Sequence, residues 1–198
     1  RARFFSSVDI CGAYHSVNVA EDDREKFAFI CPFGLFEYCR MPYGWTCSGP
    51  LFYKLMDETM VDIKWKCVAI YADDCLMFSP NFMQHIKDIN ATLDRMKGFH
   101  LATKKCLFFQ KKIDYLGFEV SEKGIAPGKK NVEKLLQAEI KTVKHIRTFL
   151  GMAGFYRKWI SDYAGITSEL VATTKKNYRL PDKKLTPGME KAIKILKE

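Results

Sequence analysis

Two apolar runs, residues 67–71 (Cys-Val-Ala-Ile-Tyr) and 75–78 (Cys-Leu-Met-Phe), are separated only by Ala72-Asp73-Asp74. Runs this short, rich in β-branched and aromatic residues and divided by so few positions, predict a β-hairpin with acidic residues at its tip. Adjacent carboxylates on a tight turn repel each other and have no cation close by in sequence, so placing them there costs stability unless something offsets it. A divalent ion would do so. Mg²⁺ takes hard oxygen ligands and is usually held by one or two carboxylates together with water and substrate phosphates. Such a site needs a carboxylate from another segment, and Asp9, near the end of the strand-like stretch 4–10, is the candidate. By itself an Asp-Asp pair is ordinary turn chemistry, because Asp is a favoured turn residue.

The rest of the chain reads as mixed α/β, then helical. Residues 27–30 and 36–39 form a second hairpin signal around Pro32-Phe33-Gly34. Leu51, Phe52, Leu55, Met56 and Met60 fall on one helical face; Met83, Ile86, Ile89, Leu93 and Met96 mark another helix, closed by Gly98. Residues 107–110 and 115–120 are strand candidates, with Lys123-Gly124 a turn. Val132, Leu135 and Leu136 begin one late helix. A second is marked by Ile146, Phe149, Leu150, Ala153, Tyr156 and Ile160, and a last helical stretch is expected at 190–197.

With 47% hydrophobic and 14% aromatic residues the chain can build a core, and its apolar runs are far too short to cross a bilayer. The opening Arg-Ala-Arg-Phe-Phe carries neither an initiator Met nor a signal peptide, so a fragment of a longer protein is expected. Seven cysteines without a C-x-x-C read as packed, reduced thiols of a cytosolic or nuclear protein. The net charge of +9 is uneven: residues 1–100 carry 11 Lys/Arg against 13 Asp/Glu, and the remainder 21 against 10. A basic half joined to an acidic one suits a protein that holds metal with one part and a polyanion with the other.

Tyr71-Ala72-Asp73-Asp74 between apolar strands resembles motif C of reverse transcriptases, and its neighbours fall in that family's order. Phe5-Ser6-Ser7-Val8-Asp9-Ile10 with Ala13-Tyr14-His15 resembles motif A of gypsy-type LTR retrotransposons and retroviruses. Pro32 to Tyr38 and Arg40-Met41-Pro42-Tyr43-Gly44 resemble the approach to motif B. Lys105-Cys106 with Phe108 resembles motif D, and Tyr115-Leu116-Gly117-Phe118 motif E, the primer grip. Phe149-Leu150-Gly151-Met152 and Phe155-Tyr156-Arg157-Lys158 resemble the gypsy-type thumb. The motif B stretch departs from the family's Gly-Leu-x-Asn-Ala-Pro: here it reads Gly44-Trp45-Thr46-Cys47-Ser48-Gly49-Pro50, with the proline one place late, which puts the template-side contact in question.

The resemblance implies an α+β fold: a polymerase palm, with an antiparallel sheet, helices on one face and a ferredoxin-like core, followed by a small helical thumb. It implies a palm over 1–124 with a fingers-like hairpin at about 19–43, a thumb over 125–174, and a linker over 175–198 toward an RNase H domain. Asp9, Asp73 and Asp74, with the Ile10 carbonyl, would bind two Mg²⁺ (Mn²⁺ as a substitute). Tyr14, Tyr43, Gly44 and Lys105 would contact the nucleotide, Tyr14 by blocking a ribose 2′-hydroxyl and Lys105 by protonating pyrophosphate. Leu116 and Gly117 would position the primer end. Lys129, Lys130, Lys134, Arg147, Arg157 and Lys158 would meet nucleic-acid phosphates, which fix position without reading sequence. The implied partners are an RNA or DNA template with primer, dNTPs, and linked RNase H, protease and integrase domains, with no membrane. The implied setting is a cytoplasmic virus-like particle, the nucleus, or both. Since the family's fingers lie mostly before motif A, the chain alone is expected to polymerise poorly. A decayed element that only binds nucleic acid is the alternative, and a two-metal nuclease ranks last because it gives Tyr14 and the primer grip no purpose.

Overall fold

A computed structural model describes residues 1–175, 178, 180 and 184–197. The chain forms two compact units, Arg1–Tyr115 with Val120–Gly124, and Leu116–Glu119 with Ile125–Glu198. In the first unit the order is β1 (Phe4–Asp9), β2 (Ala28–Cys31), β3 (Gly34–Glu37), α1 (Ser48–Thr59), β4 (Val68–Tyr71), β5 (Asp74–Ser79), α2 (Phe82–Arg95) and β6 (Leu107–Gln110). Strands β4, β5, β1 and β6 pair in that order, antiparallel throughout the pairings β4–β5, β5–β1 and β1–β6.

Alternation along the strands decides what each sheet face does. Val8, Ile10, Val68, Ile70, Cys75 and Met77 turn to one face and pack against Phe52, Met56 and Met60 of α1 and its end and Ile89 of α2. The opposite face carries Phe5 and Leu76, covered by Ile113 of the following strand. Helices therefore lie on one face only, as the α+β palm expectation required. Asp9 and Asp74 belong by the same alternation to the face without helices.

The α1 helix starts after a bend whose Ser48 hydroxyl donates to the Pro42 carbonyl at 2.9 Å. Pro50 sits in its first turn, where an amide hydrogen would have no helical partner, so the late proline costs the helix nothing. Two expected face residues turn out to be exposed, Leu51 on α1 and Met83 on α2. The buried face of α2 is instead partly polar: His85, Asp88 and Thr92 lie beside Ile89. The predicted hairpin is present as β2–β3, pairing Ala28 with Glu37 and Cys31 with Gly34 around Pro32-Phe33, and its Ile30, Phe33 and Leu35 are exposed.

Residues 115–120 are not one strand, contrary to the sequence reading. The chain runs β7 (Lys112–Tyr115), a turn at Leu116-Gly117, β8 (Phe118–Ser121) and β9 (Gly124–Pro127), a three-stranded sheet in sequence order. Leu116 and Gly117 both have positive φ, 50° and 83°, the conformation of a type I′ hairpin turn. Gly117 is required there. A side chain would strike Asn131, and its carbonyl accepts from Tyr156 Oη at 2.8 Å and the Gly128 amide at 3.0 Å.

The second unit adds α3 (Lys129–Gln137), α4 (Val143–Phe155), α5 (Tyr163–Ala172) and α6 (Pro187–Lys197). Its core joins Leu135, Ile146, Phe149, Leu150, Ala153 and Leu170 to Met189, Ala192 and Leu196. The helix expected to continue through Tyr156 and Ile160 ends at Phe155, and a 3-10 turn, Arg157–Trp159, follows. Leu136 is exposed. The stretch 175–198, read as a linker, contains α6, which is packed into this helical core. Residues 176, 177, 179, 181–183 and 198 of that stretch lie outside the described residues.

Phe52 and Phe149 are 1% exposed, one in each unit's core. Truncating a buried Phe to Ala loses its transfer energy and leaves a cavity, about 3–5 kcal/mol together. Phe52→Ala is expected to weaken amide protection of β4 and β5, and Phe149→Ala that of α4 and α5. Hydrogen exchange with mass spectrometry reads both.

Candidate active site

The site begins with strand pairing. Strands β1 and β5 pair without interruption from Phe4 with Ser79 to Asp9 with Asp74, so two carboxylates that are 65 positions apart in sequence face each other across one ladder. Tyr71 pairs with Asp74 across the β4–β5 hairpin, leaving Ala72 and Asp73 as its two-residue loop. Ala72 has φ 52°, a left-handed value that a side chain tolerates at a cost of about 1–3 kcal/mol. Asp73 is tied to β1 as well, since its carbonyl accepts from the Ile10 amide at 3.3 Å. Asp9, Asp73 and Asp74 are thereby gathered at one end of the sheet.

Their charges interact. Partial burial, followed by the neighbouring carboxylates of Asp73 and Asp9, raises the Asp74 carboxyl above the usual range, while Lys105 acts in the opposite sense. The Lys105 ammonium reaches both Asp9 oxygens at 3.2 and 3.3 Å, and its own pKa is raised by that hydrogen bond. Below the turn, Tyr115 Oη donates to the Asp74 carbonyl at 3.2 Å, and burial pushes the Tyr115 phenol up. Burial also pushes the Cys75 thiol up to about 12, so it stays an inert core thiol.

A few residues after Asp9 the chain enters an aromatic group. Tyr14 sits in a 3-10 turn (Ala13–Ser16) rather than on a strand, with its ring 5.1 Å from that of Tyr43 and 5.9 Å from that of Phe52. His15 meets Tyr43 edge-on at 5.0 Å. Gly44 follows with φ 87°, and a side chain at Gly49 would touch the Tyr14 hydroxyl at 3.6 Å. The unusual motif B glycine therefore stands against the tyrosine expected to select the sugar.

Among the described residues, no group of three or more His, Cys, Asp or Glu side chains is close enough to hold a metal ion unaided. The expected basic residues of the second unit are all exposed, but they are not equivalent. Arg147 spends its guanidinium on the carbonyls of Thr173 and Lys175, at 3.2 and 3.3 Å, beyond the end of α5. Lys158 lies over the Trp159 ring at 5.8 Å. Leu116 and Gly117 form the β7–β8 turn described above.

Sequence reasoning passed over Tyr115 as an anchor for the Asp74 backbone, and Gly49 as a neighbour of Tyr14. A tyrosine opening the motif E stretch carried no signal of such a contact. The displaced proline did signal a change at Gly49.

The raised Asp74 carboxyl has a consequence in metal-free buffer. The folded protein binds this proton more tightly than the unfolded chain, so the favourable contribution is full below the ordinary Asp range and is lost as pH rises through the folded value. Asp74→Asn is thus expected to unfold at a higher temperature than the parent chain at pH 7, with the gain shrinking at acid pH. Thermal melts in a chelator across that range measure it.

Comparison with known proteins bears on the family and the fold. A family model described as reverse transcriptase (RNA-dependent DNA polymerase) matches residues 1–120. The Tf2-3 and Tf2-7 transposon polyproteins of Schizosaccharomyces pombe are each 34% identical over 197 residues, covering 98% of this chain and 15% of theirs. The chain thus spans a small part of the curated relatives it matches. Among solved structures, a foamy viral protease-reverse transcriptase in complex with RNA/DNA hybrid superposes with a TM-score of 0.84 at 18% identity, over 98% of this chain and 27% of that one. Another, in complex with double-stranded DNA, gives 0.85 at 18% identity, over 100% and 36%. Strand pairing, motif order and these matches agree: the chain belongs to the reverse transcriptase family.

Proposed function

We propose that this chain carries the nucleotidyl-transfer centre of an RNA- and DNA-directed DNA polymerase within a retrotransposon-type polyprotein. The observation that carries this is the pairing of Asp9 with Asp74, with Asp73 in the adjoining turn, on the sheet face that no helix covers.

The donors fit Mg²⁺. They are hard oxygens, three carboxylates set against the ammonium of Lys105, which pairs with Asp9. Mg²⁺ does not need a closed protein cage, since water and substrate phosphates complete its shell. Asp9 and Asp73, with Asp74 and the Ile10 carbonyl, would hold it. Two such ions supply Lewis-acid activation of the primer 3′-hydroxyl and charge neutralisation at the leaving pyrophosphate.

The chain's own groups do the remainder. Lys105, held at Asp9, carries a proton within reach of the site and is the group to deliver it to the departing pyrophosphate. Tyr14, braced by Tyr43 and Phe52, presents an aromatic edge against which a ribose 2′-hydroxyl would clash, favouring deoxynucleotides. Gly44 leaves open space for the nucleotide, since a side chain there meets nothing. Leu116 and Gly117 would position the primer end. Lys129, Lys130, Lys134, Arg157 and Lys158 would contact backbone phosphates, with Arg147 contributing less because it is already engaged. On this reading the chain would be linked to protease, RNase H and integrase segments and would act in a particle, in the nucleus, or both.

In the full-length gene product, Asp9→Asn and Asp73→Asn are each expected to lower primer extension by on the order of 10³-fold while leaving template binding nearly unchanged, since charge stabilisation in the transition state is what they remove. Tyr14→Ala should raise incorporation of ribonucleotides relative to deoxynucleotides. Primer-extension assays with gel-shift controls decide both. Full activity in the two Asp variants would sink the assignment, and an inert parent protein that still bound template would point to a nucleic-acid-binding remnant.

A further inference from the structure

A second polar cluster lies within the first unit, sealed under α2. Ser6, His85 and Thr92 are 0% exposed, Ser79 1% and Asp88 8%. His85 Nε2 lies 2.7 Å from Ser6 Oγ, and its Nδ1 lies 2.8 Å from Ser79 Oγ. Ser79 Oγ donates to Asp88 Oδ2 at 2.5 Å, and Gln84 Nε2 donates to Asp88 Oδ1 at 2.8 Å. The Phe109 amide donates to Ser6 Oγ at 3.0 Å.

One proton arrangement that satisfies these contacts runs from His85 to Asp88. Ser79 gives its hydrogen to Asp88 Oδ2 and in this arrangement accepts from His85 Nδ1–H. The neutral ring then has Nε2 free to accept, and Ser6 donates to it while accepting from Phe109. Every donor and acceptor is used once in one direction. Burial, the largest influence, lowers the His85 pKa against the opposing effects of Asp88 and the Phe5 backbone, in keeping with a neutral ring. Ser, His and Asp here do not make a nucleophile: the hydroxyls are closed off from any substrate.

The cluster sits where the sheet is irregular. Along β1 the step from Phe5 to Ser7 is two residues, whereas their partners on β6, Gln110 and Leu107, are three apart. One extra residue is therefore bulged into the edge strand, and Phe109 takes φ 55° there. The bulge removes the Phe109 amide from the ladder, and Ser6 Oγ accepts it instead. The Phe109 ring then stands edge-on to His85 at 5.5 Å.

We propose that Ser6 and His85 are positioning residues, which pin the β6 bulge to β1, β5 and α2 and thereby set Lys105 against Asp9. A slip of one residue would move the chain by about 3.3 Å. That is as long as the contact between Lys105 and Asp9 itself, at 3.2 Å. The same ring ties Ser79, at the far end of β5, to Ser6, fixing the ladder that ends in Asp9 and Asp74. The kinetic part of this inference rests on the polymerase reading above; the structural part does not.

Two arms test it. In this 198-residue chain, nitrogen-15 spectra should show His85 as the neutral Nδ1–H tautomer, and Ser6→Ala should speed exchange of the Phe109 amide and separate Lys105 from Asp9. In the full-length gene product, Ser6→Ala should lower kcat about tenfold or more with the dNTP KM changed less than about twofold, as expected when reacting groups are misplaced rather than binding lost. Ser6→Thr, which keeps the hydroxyl, should restore kcat. An Nε2–H tautomer, an unchanged Lys105–Asp9 distance in Ser6→Ala, or equal kcat losses in Ser6→Ala and Ser6→Thr would each overturn the proposal. An inactive parent protein would sink the polymerase reading, and the tautomer and distance would then decide this one alone.

Discussion

Antiparallel pairing between β1 and β5 is the constraint from which the first unit's geometry follows. Its register places Asp9 opposite Asp74, and alternation then sends Val8, Ile10, Cys75 and Met77 to the helical face while both carboxylates take the other. A shift by one residue would exchange those faces, burying acids and exposing aliphatics. The apolar core and the acidic cluster are thus two consequences of one register. Burial of Val68, Met77 and Phe52 supplies the energy that holds like charges together at the sheet end. The repulsion does not vanish. It adds, after burial, to the rise of the Asp74 carboxyl.

This balance explains why much of the site could be read from the sequence. The apolar runs on either side of Ala72-Asp73-Asp74 can form a hairpin only if the acids lie at its tip, and a β-branched, aromatic segment ending at Asp9 pairs naturally beside it. The helical face of α1 was legible through Phe52, Met56 and Met60 because 3.6-residue periodicity reports burial directly. Leu51 was misassigned for a related reason: an apolar residue at the edge of a stripe follows the same spacing whether or not anything packs on it. On α2 the pattern of Met83, Ile86 and Ile89 described only part of the buried face, because His85, Asp88 and Thr92 are buried by pairing with each other and with strand hydroxyls.

Turns were the least legible. Residues 115–120 look like one β-rich run, and only the positive φ of both Leu116 and Gly117 folds them back. Glycine at 117 allows this, and the turn packs so closely on residue 128 that a β-carbon there would collide with the Gly117 carbonyl. No local propensity announces a requirement that comes from residues a dozen positions away. The packing of α6 into the helical unit was hidden similarly. Its charged, proline-flanked sequence reads as a connection, yet Met189, Ala192 and Leu196 repeat at helical spacing and find Leu135 and Ile146 as neighbours.

The polar cluster under α2 shows how a site can depend on residues remote from its chemistry. An edge strand such as β6 is free to slide unless something specifies its register. Hydrophobic burial is a weaker device here than in a core strand, since Leu107, Phe108 and Phe109 are all partly exposed. A hydrogen bond to a displaced amide is a better one. It is directional, it is sealed from competing water, and leaving Ser6 Oγ or the Phe109 amide without a partner would cost about 1–3 kcal/mol. On the proposal above, the extra residue in β6 helps hold Lys105 at Asp9 together with the Ala102 amide, which donates to the Asp9 carbonyl at 2.9 Å, while the His85 ring ties Ser6 of β1 to Ser79 of β5 from α2.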